Sequence, residues 1–353
     1  MKINFPNYIT GKYAVGTECF TIVDNTRTEV LGPGNGPRKI AVRVYYPTDK
    51  LSVAGLEQAY ILSDIKANAL AKAYHVKVKD QTIRKGDYYE NVPHVENQKF
   101  PLIIYNHGYN AYVECNTFLC CELASNGYIV ASVGHAYEAI ANEYDDGTFD
   151  LYDKHINKIM YDSIFKTLLA QRKVLKAKGS PEELYEKFNT FQKKHCQYIM
   201  ERIPQWAQDT MCAVNALKAK YAEWIDFSAG IGATGHSMGG ATAYYLCHHE
   251  KDFTCGINID GGIFGNYEGL IMKKPFLQIC CSENYNVVTR SLFNTEAPVH
   301  CEIFGNLKHI GFTDAKFFIP FKMVVGKMDS NEMYERLSNQ HLTFFDKYLK
   351  TNN

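Results

Sequence analysis

The sequence predicts an α/β fold, a mostly parallel central sheet flanked by helices, and two observations carry that expectation. A short apolar run at 101–106 has the length and continuity of a strand buried on both faces, and further strands in alternation with helices are expected at 128–133, 255–259, 275–281 and 299–304. Between those at 128–133 and 255–259, residues 231–240 read Ile-Gly-Ala-Thr-Gly-His-Ser-Met-Gly-Gly, a small-residue strand entering a tight Gly-His-Ser-Met-Gly turn, and 241–247 continue as a good helix. A strand, helix and strand in succession over 101–133 imply a right-handed crossover and parallel pairing.

Taken in order, 18–23 and 39–46 are strand candidates separated by the turn-rich Gly32-Pro33-Gly34-Asn35-Gly36-Pro37, an antiparallel edge that starts the sheet. Residues 51–98 read as an insertion with an Ala-rich helix at 65–73 and a polar, Tyr-rich loop after it. The strand at 101–106 ends in His107-Gly108-Tyr109-Asn110, and a helix is expected from 114 to 125. About three amphipathic helices fill 152–220, with breaks expected at Gly179-Ser180-Pro181 and at Ile203-Pro204. In the first, Ile156, Ile159, Met160, Ile164, Leu168 and Leu169 recur at helical spacing, the pattern of a packing face. Inserted on the strand-end side of the sheet, these helices would overhang Ser237 as a cap. A helix at about 330–349 closes the chain, and with no repeat or low-complexity linker residues 1–353 are expected to form one domain.

Composition narrows the function. Thirty-eight basic and 38 acidic residues balance, and no dense Lys/Arg run offers a nucleic-acid surface. The N-terminus lacks the apolar core of a signal peptide, and no run approaches the roughly 18 apolar residues of a membrane span. Eleven cysteines, an odd number lying in apolar runs such as Cys120-Cys121 and Cys280-Cys281, read as buried free thiols in a reducing, cytoplasmic setting. Without a Cys-x-x-Cys pair, a structural zinc site is not expected.

The Gly-x-Ser-x-Gly turn carries the chemistry. Between a strand and a helix it describes a nucleophile elbow, which raises the Ser237 hydroxyl above the sheet beside the positive end of the helix. A serine hydroxyl needs an adjacent base, and the base a third group to hold its tautomer. On an α/β-hydrolase fold the chain order is Ser, acid, His, so of twelve histidines only His248, His249, His300, His309 and His341 qualify. His309 alone lies in a turn after a late strand, where such sheets carry their catalytic groups. Two carboxylates, Asp260 and Glu283, end strands at the right edge, and position favours neither. Oxyanion donors are expected at the backbone N–H groups of Met238, after the nucleophile, and Tyr109, in the loop after an earlier strand.

The stretches Phe-Pro-Leu-Ile-Ile-Tyr-Asn-His-Gly (100–108), Leu-Ala-Ser-Asn-Gly-Tyr-Ile-Val-Ala (123–131), Gly-His-Ser-Met-Gly-Gly-Ala-Thr (235–242), Cys-Gly-Ile-Asn-Ile-Asp (255–260) and Val-Arg-Val-Tyr-Tyr-Pro (42–47) resemble the platelet-activating factor acetylhydrolases of the plasma and intracellular type II kind. The likeness covers most of the core and fades in the inserted helices. It implies Ser237 as nucleophile, Asp260 as acid and His309 as base, with Glu283 non-catalytic. The chain departs from that family at Gly262, where a bulky aromatic is usual, and at Met238, where a Phe is usual, which implies a wider or differently shaped acyl pocket. The function expected is hydrolysis of carboxylic esters, short-chain acyl esters first, with no metal or organic cofactor. Rival expectations are cleavage of a thioester, amide or polyester, and a catalytically silent binding module.

Overall fold

The computed structural model describes residues 9–74, 85–267, 269–291, 295–297 and 299–350. Its centre is a long hairpin followed by parallel strands, with a two-residue strand at 89–90 that the sequence pattern does not show: β1 (Ala14–Thr28), β2 (Pro37–Thr48), β3 (Tyr89–Glu90), β4 (Leu102–Asn106), β5 (Ile129–Val133), β8 (Ile231–His236), β9 (Phe253–Ile259), β10 (Phe276–Cys281) and β11 (Val299–Phe304). They form one nine-stranded sheet in the order β11-β10-β9-β8-β4-β5-β2-β1-β3. From β5 to β11 every neighbouring pair is parallel, and β2 is antiparallel to both β1 and β5. This is the α/β-hydrolase fold, with its helical insertion ahead of the nucleophile strand.

Period-2 alternation distributes the strand residues to two cores. Ile103 and Tyr105 pack with α2 (Thr117–Ser125) and α10 (Ser330–Phe345) on one face. Leu102 and Ile104 pack on the other with α5 (Gln197–Lys220) and α6 (Met238–His249). The insertion consists of α3 (Lys154–Leu175), α4 (Pro181–His195) and α5, preceded by a short hairpin of β6 (Ala141–Glu143) and β7 (Phe149–Leu151) that the sequence pattern did not anticipate.

Several boundaries differ from expectation for identifiable reasons. Helix α2 begins at Thr117, not 114, because residues 112–115 turn tightly, with Cys115 N–H on the Tyr112 carbonyl. The Glu114 carboxylate is drawn away to Lys66 at 2.7 Å and Arg43 at 3.1 Å. The break expected at Ile203-Pro204 does not occur. Pro204 sits inside α5, and the chain breaks instead at Cys196 (φ −120°, ψ 24°). A proline in a helix interior costs about 3 kcal/mol, and the complete burial of Ile203 and Trp206 on either side offsets it. The other break stands, since Ser180 caps α4 in a reciprocal pair with Glu183, followed by Pro181. In α3 the apolar stripe is not a uniform packing face: Met160 is buried and Ile156 half-buried, but Ile159 and Leu169 face outward, and the side chains of Ile164 and Leu168 lie outside the described residues. Eight cysteines are buried as expected, whereas Cys19 and Cys301 are exposed and Cys212 half-buried; all eleven are free thiols. The loop after α1 (Asp64–Tyr74) falls largely at 75–84, outside the described residues.

Candidate active site

Ser237 follows β8 directly and stands at φ 56°, ψ −120°, a region that costs a non-glycine residue about 1–3 kcal/mol. The turn is held from both sides: Ser237 N–H donates to the Ile259 carbonyl at 2.8 Å, and its own carbonyl accepts from Gly240 N–H at 3.0 Å. Gly239 is obligatory here, because a Cβ at that position would lie 2.0 Å from the Asn106 carbonyl oxygen. The result aims the serine side chain off the sheet end and opens α6 immediately after it, so that Met238 N–H, at the first helical position, has no acceptor within the helix.

The structure brings His309 and Asp260 to this serine. His309 Nε2 is 2.9 Å from Ser237 Oγ, and its Nδ1 is 2.7 Å from Asp260 Oδ2. With Nδ1–H donating to the carboxylate, the Nε2 lone pair faces the hydroxyl, the tautomer a base needs. Asp260 is buried, itself at positive φ (58°), and receives Cys281 N–H and the Asn284 amide, each at 2.7 Å. Its oxygens are thus fixed independently of the histidine. The imidazole is anchored through its backbone as well, because His236 Nε2–H donates to the His309 carbonyl at 2.9 Å. Burial, and then the neighbouring His309, push the His236 pKa well below the usual imidazole range, so this anchor is neutral. His236, Asn284 and Cys281 carried no sequence signal for these roles. Glu283, the other acid left open by position, is exposed and ion-paired with Lys308.

The Tyr109 amide is oriented by the peptide before it. The Gly108 carbonyl accepts from His107 Nδ1–H at 2.7 Å and from Ala111 N–H at 3.0 Å. In a planar trans peptide the N–H points opposite to the C=O, so Tyr109 N–H is turned away from those donors. The loop abuts the nucleophile: a Cβ on Gly108 would lie 3.2 Å from Ser237 Cβ. Burial, then the neighbouring His135, lower the His107 pKa to about 3, which keeps its ring neutral. Met238, Ala241, Ile203 and Trp206 pack as one apolar cluster with Tyr109 and Phe264 at its edge. The space beside Gly262 is filled by other side chains, since Phe264 Cε2 and Val287 Cγ1 would stand 2.6 and 3.0 Å from an added Cβ. Among the described residues no group of three or more His, Cys, Asp or Glu could hold a metal ion, and no helix is long and apolar enough to cross a membrane.

Comparison with known proteins finds relatives of the chain. The family model described as platelet-activating factor acetylhydrolase, isoform II, matches residues 2–353. Platelet-activating factor acetylhydrolase of Cavia porcellus is 26% identical over 276 residues, 73% of this chain and 60% of that protein. The Gallus gallus protein of the same name is 23% identical over 298 residues, covering 71% and 63% respectively. The matches therefore take in less than two thirds of the length of these relatives. A ferulic acid esterase from Streptomyces cinnamoneus superimposes with a TM-score of 0.73 over 97% of this chain and 92% of that one, at 19% identity, a likeness of fold.

Proposed function

The chain belongs to the platelet-activating factor acetylhydrolase isoform II family, and from that premise we propose that it is a serine carboxylic ester hydrolase acting through Ser237, His309 and Asp260. The observation that carries the reading is the relay from Asp260 Oδ2 through the imidazole to Ser237 Oγ, with steps of 2.7 and 2.9 Å. Ser237 Oγ attacks the acyl carbonyl as His309 Nε2 takes its proton. The carbonyl oxygen, now an oxyanion, is held by the Met238 and Tyr109 amides. His309 returns the proton to the leaving alkoxide, and water, activated by the same nitrogen, releases the acid. Asp260 holds the imidazole's orientation and stabilises its charged form throughout. Helices α3–α5 act as a cap within one domain. Short acyl esters are the first substrate class, since Phe264 and Val287 fill the space beside Gly262; an acetylated phospholipid is the candidate that the family suggests.

The test is Ser237→Ala. It should give a folded protein that no longer labels with a fluorophosphonate and loses on the order of 10⁶ in kcat toward an acetyl ester, as other catalytic serines do. Labelling that persists in the folded variant moves the nucleophile elsewhere.

A further inference from the structure

Helix α5 belongs to the insertion, yet its polar face is buried against Asn106 at the end of β4 and against His135 and Glu138 in the segment after β5, the residues that flank the loop carrying Tyr109. Arg202, Trp206, Asp209 and Thr210 recur at helical spacing along that face, and all four are at most 9% exposed. Thr210 Oγ1–H donates to Asn106 Oδ1 at 2.9 Å, gripping the last residue of β4 on the N-terminal side of the loop. The same oxygen is 3.1 Å from Nε2 of His135, whose ring stacks on Trp206 at 3.8 Å and whose Nδ1 is 2.9 Å from Asp209 Oδ2. On the C-terminal side the grip passes through Glu138. Its carboxylate, fully buried, accepts from Arg202 Nε at 2.9 Å, Arg202 Nη2 at 2.7 Å and Trp206 Nε1 at 2.8 Å. Its backbone carbonyl accepts the Asn110 N–H at 2.8 Å.

The backbone on both sides of that last bond is in an unusual conformation. Asn110 has φ 58° and Tyr137 φ 59°, and non-glycine residues persist there only where surrounding contacts over-determine them. Asn110 follows Tyr109 directly, so the bond that fixes the Asn110 N–H fixes the Tyr109–Asn110 peptide, across the Tyr109 Cα from the peptide that carries the Tyr109 N–H. The Arg202–Glu138 pair is a costly thing to bury for stability alone, since well-packed apolar residues often do as well.

We propose that Glu138 and Arg202 are positioning residues for the oxyanion hole, through which helix α5 sets the Tyr109 amide against the nucleophile. The insertion is then part of the catalytic frame as well as a roof over it. This inference rests on the serine ester hydrolase reading and goes beyond it.

The experiment uses the full chain and a trifluoromethyl ketone, which adds to a reactive serine and places an oxyanion on the same donors. Glu138→Gln, Arg202→Lys and the charge-neutral pair Glu138→Gln/Arg202→Met are each checked for folding by near-ultraviolet circular dichroism. Active sites are titrated with fluorophosphonate. Displacing one donor by an ångström costs about 10²-fold. The expected result is therefore a fall in kcat of about 10- to 100-fold with KM nearly constant, and a ketone Ki raised by the same factor, with Arg202→Lys intermediate. A looser but correctly arranged protein would lower the titrated fraction and leave Ki unchanged. If Glu138→Gln folds and binds the ketone as wild type does, the inference is overturned; if that variant misfolds, a wild-type Ki in Arg202→Lys overturns it equally. Wild-type protein that neither labels nor binds the ketone removes the hydrolase reading and this inference together.

Discussion

At the scale of single residues, the choice of acid turns on surroundings that no linear pattern displays. Asp260 and Glu283 end neighbouring strands β9 and β10, each two or fewer residues past the last strand position. What separates them is the positive φ of Asp260, which turns its carboxylate back toward His309, and the ion pair that takes Glu283 to Lys308 at the surface. A carboxylate that holds the productive tautomer costs about 10⁴ in kcat when replaced by its amide, with little change in fold. Asp260→Asn is expected to show that loss, and Glu283→Gln a small effect mainly on KM. Steady-state kinetics on both, with circular dichroism as control, decide it, and a reversed order of effects moves the acid to Glu283. The serine and histidine were legible because chemistry restricts where they can stand, on a tight strand-to-helix turn and in a late loop. His236 and Asn284 were not, since a carbonyl anchor and an amide donor leave no residue-type signature at fixed spacing.

At the scale of elements, β4 is readable from its continuous apolar run and is buried throughout, whereas β11, at the sheet edge, carries His300 and Glu302 and is mostly exposed or half-buried; the first insertion break is readable from its Ser-Pro cap. The break that Pro204 signals in α5 is absent because that signal is local and its compensation is tertiary, the burial of Ile203 and Trp206. The polar face of α5 was hidden for the same reason, since charges at helical spacing ordinarily mean a solvated side. The outer helices dock differently. Gln192 of α4 exchanges two hydrogen bonds with the Gly265 backbone, at 2.9 and 3.0 Å, and Phe188 lies 5.7 Å from Phe264, ring to ring. Phe264 in turn borders the cluster of Met238, with Tyr109 also at its edge. Phe188→Ala or Gln192→Ala should therefore alter discrimination among acyl lengths while leaving the smallest ester nearly unaffected, because pocket walls bind and do not react. A graded ester panel measures it as the ratio of kcat/KM between longest and shortest. An equal loss on every ester from a folded variant means α4 does not line the acyl site.

At the scale of the whole molecule, a formal charge of zero conceals an interior rich in ionised groups, and these set how stability responds to pH. Burial alone would raise the Asp209 carboxyl, but Arg38, at 2.7 and 2.6 Å, holds it well below the usual range. Such a group stabilises the fold above its unfolded value of 3.8, and that contribution is lost as acid titrates the folded carboxylate. Asp150 works in the opposite sense. It sits in β7, accepts from Asn142 Nδ2 at 3.1 Å, Tyr137 N–H at 3.2 Å and the Tyr144 hydroxyl, yet burial outweighs these and raises its pKa from 3.8 to about 6. Between those two values the folded protein binds a proton that the unfolded chain does not, so stability from this group grows as pH falls through about 6 toward 4. Above pH 6 the buried charge is a burden of about 3 kcal/mol at most, the two-unit shift converted at 1.36 kcal/mol per unit. Asparagine at this position keeps an acceptor for Tyr137 and Asn142 and can donate to the Tyr144 oxygen. Asp150→Asn is therefore expected to raise Tm at pH 8 and to leave it nearly unchanged at pH 4.5, where wild-type Asp150 is already protonated. Thermal melts of both proteins across that range test it. A variant less stable than wild type at pH 8 would mean that the ionised carboxylate is a net support of the hairpin, and that its three donors outweigh its burial.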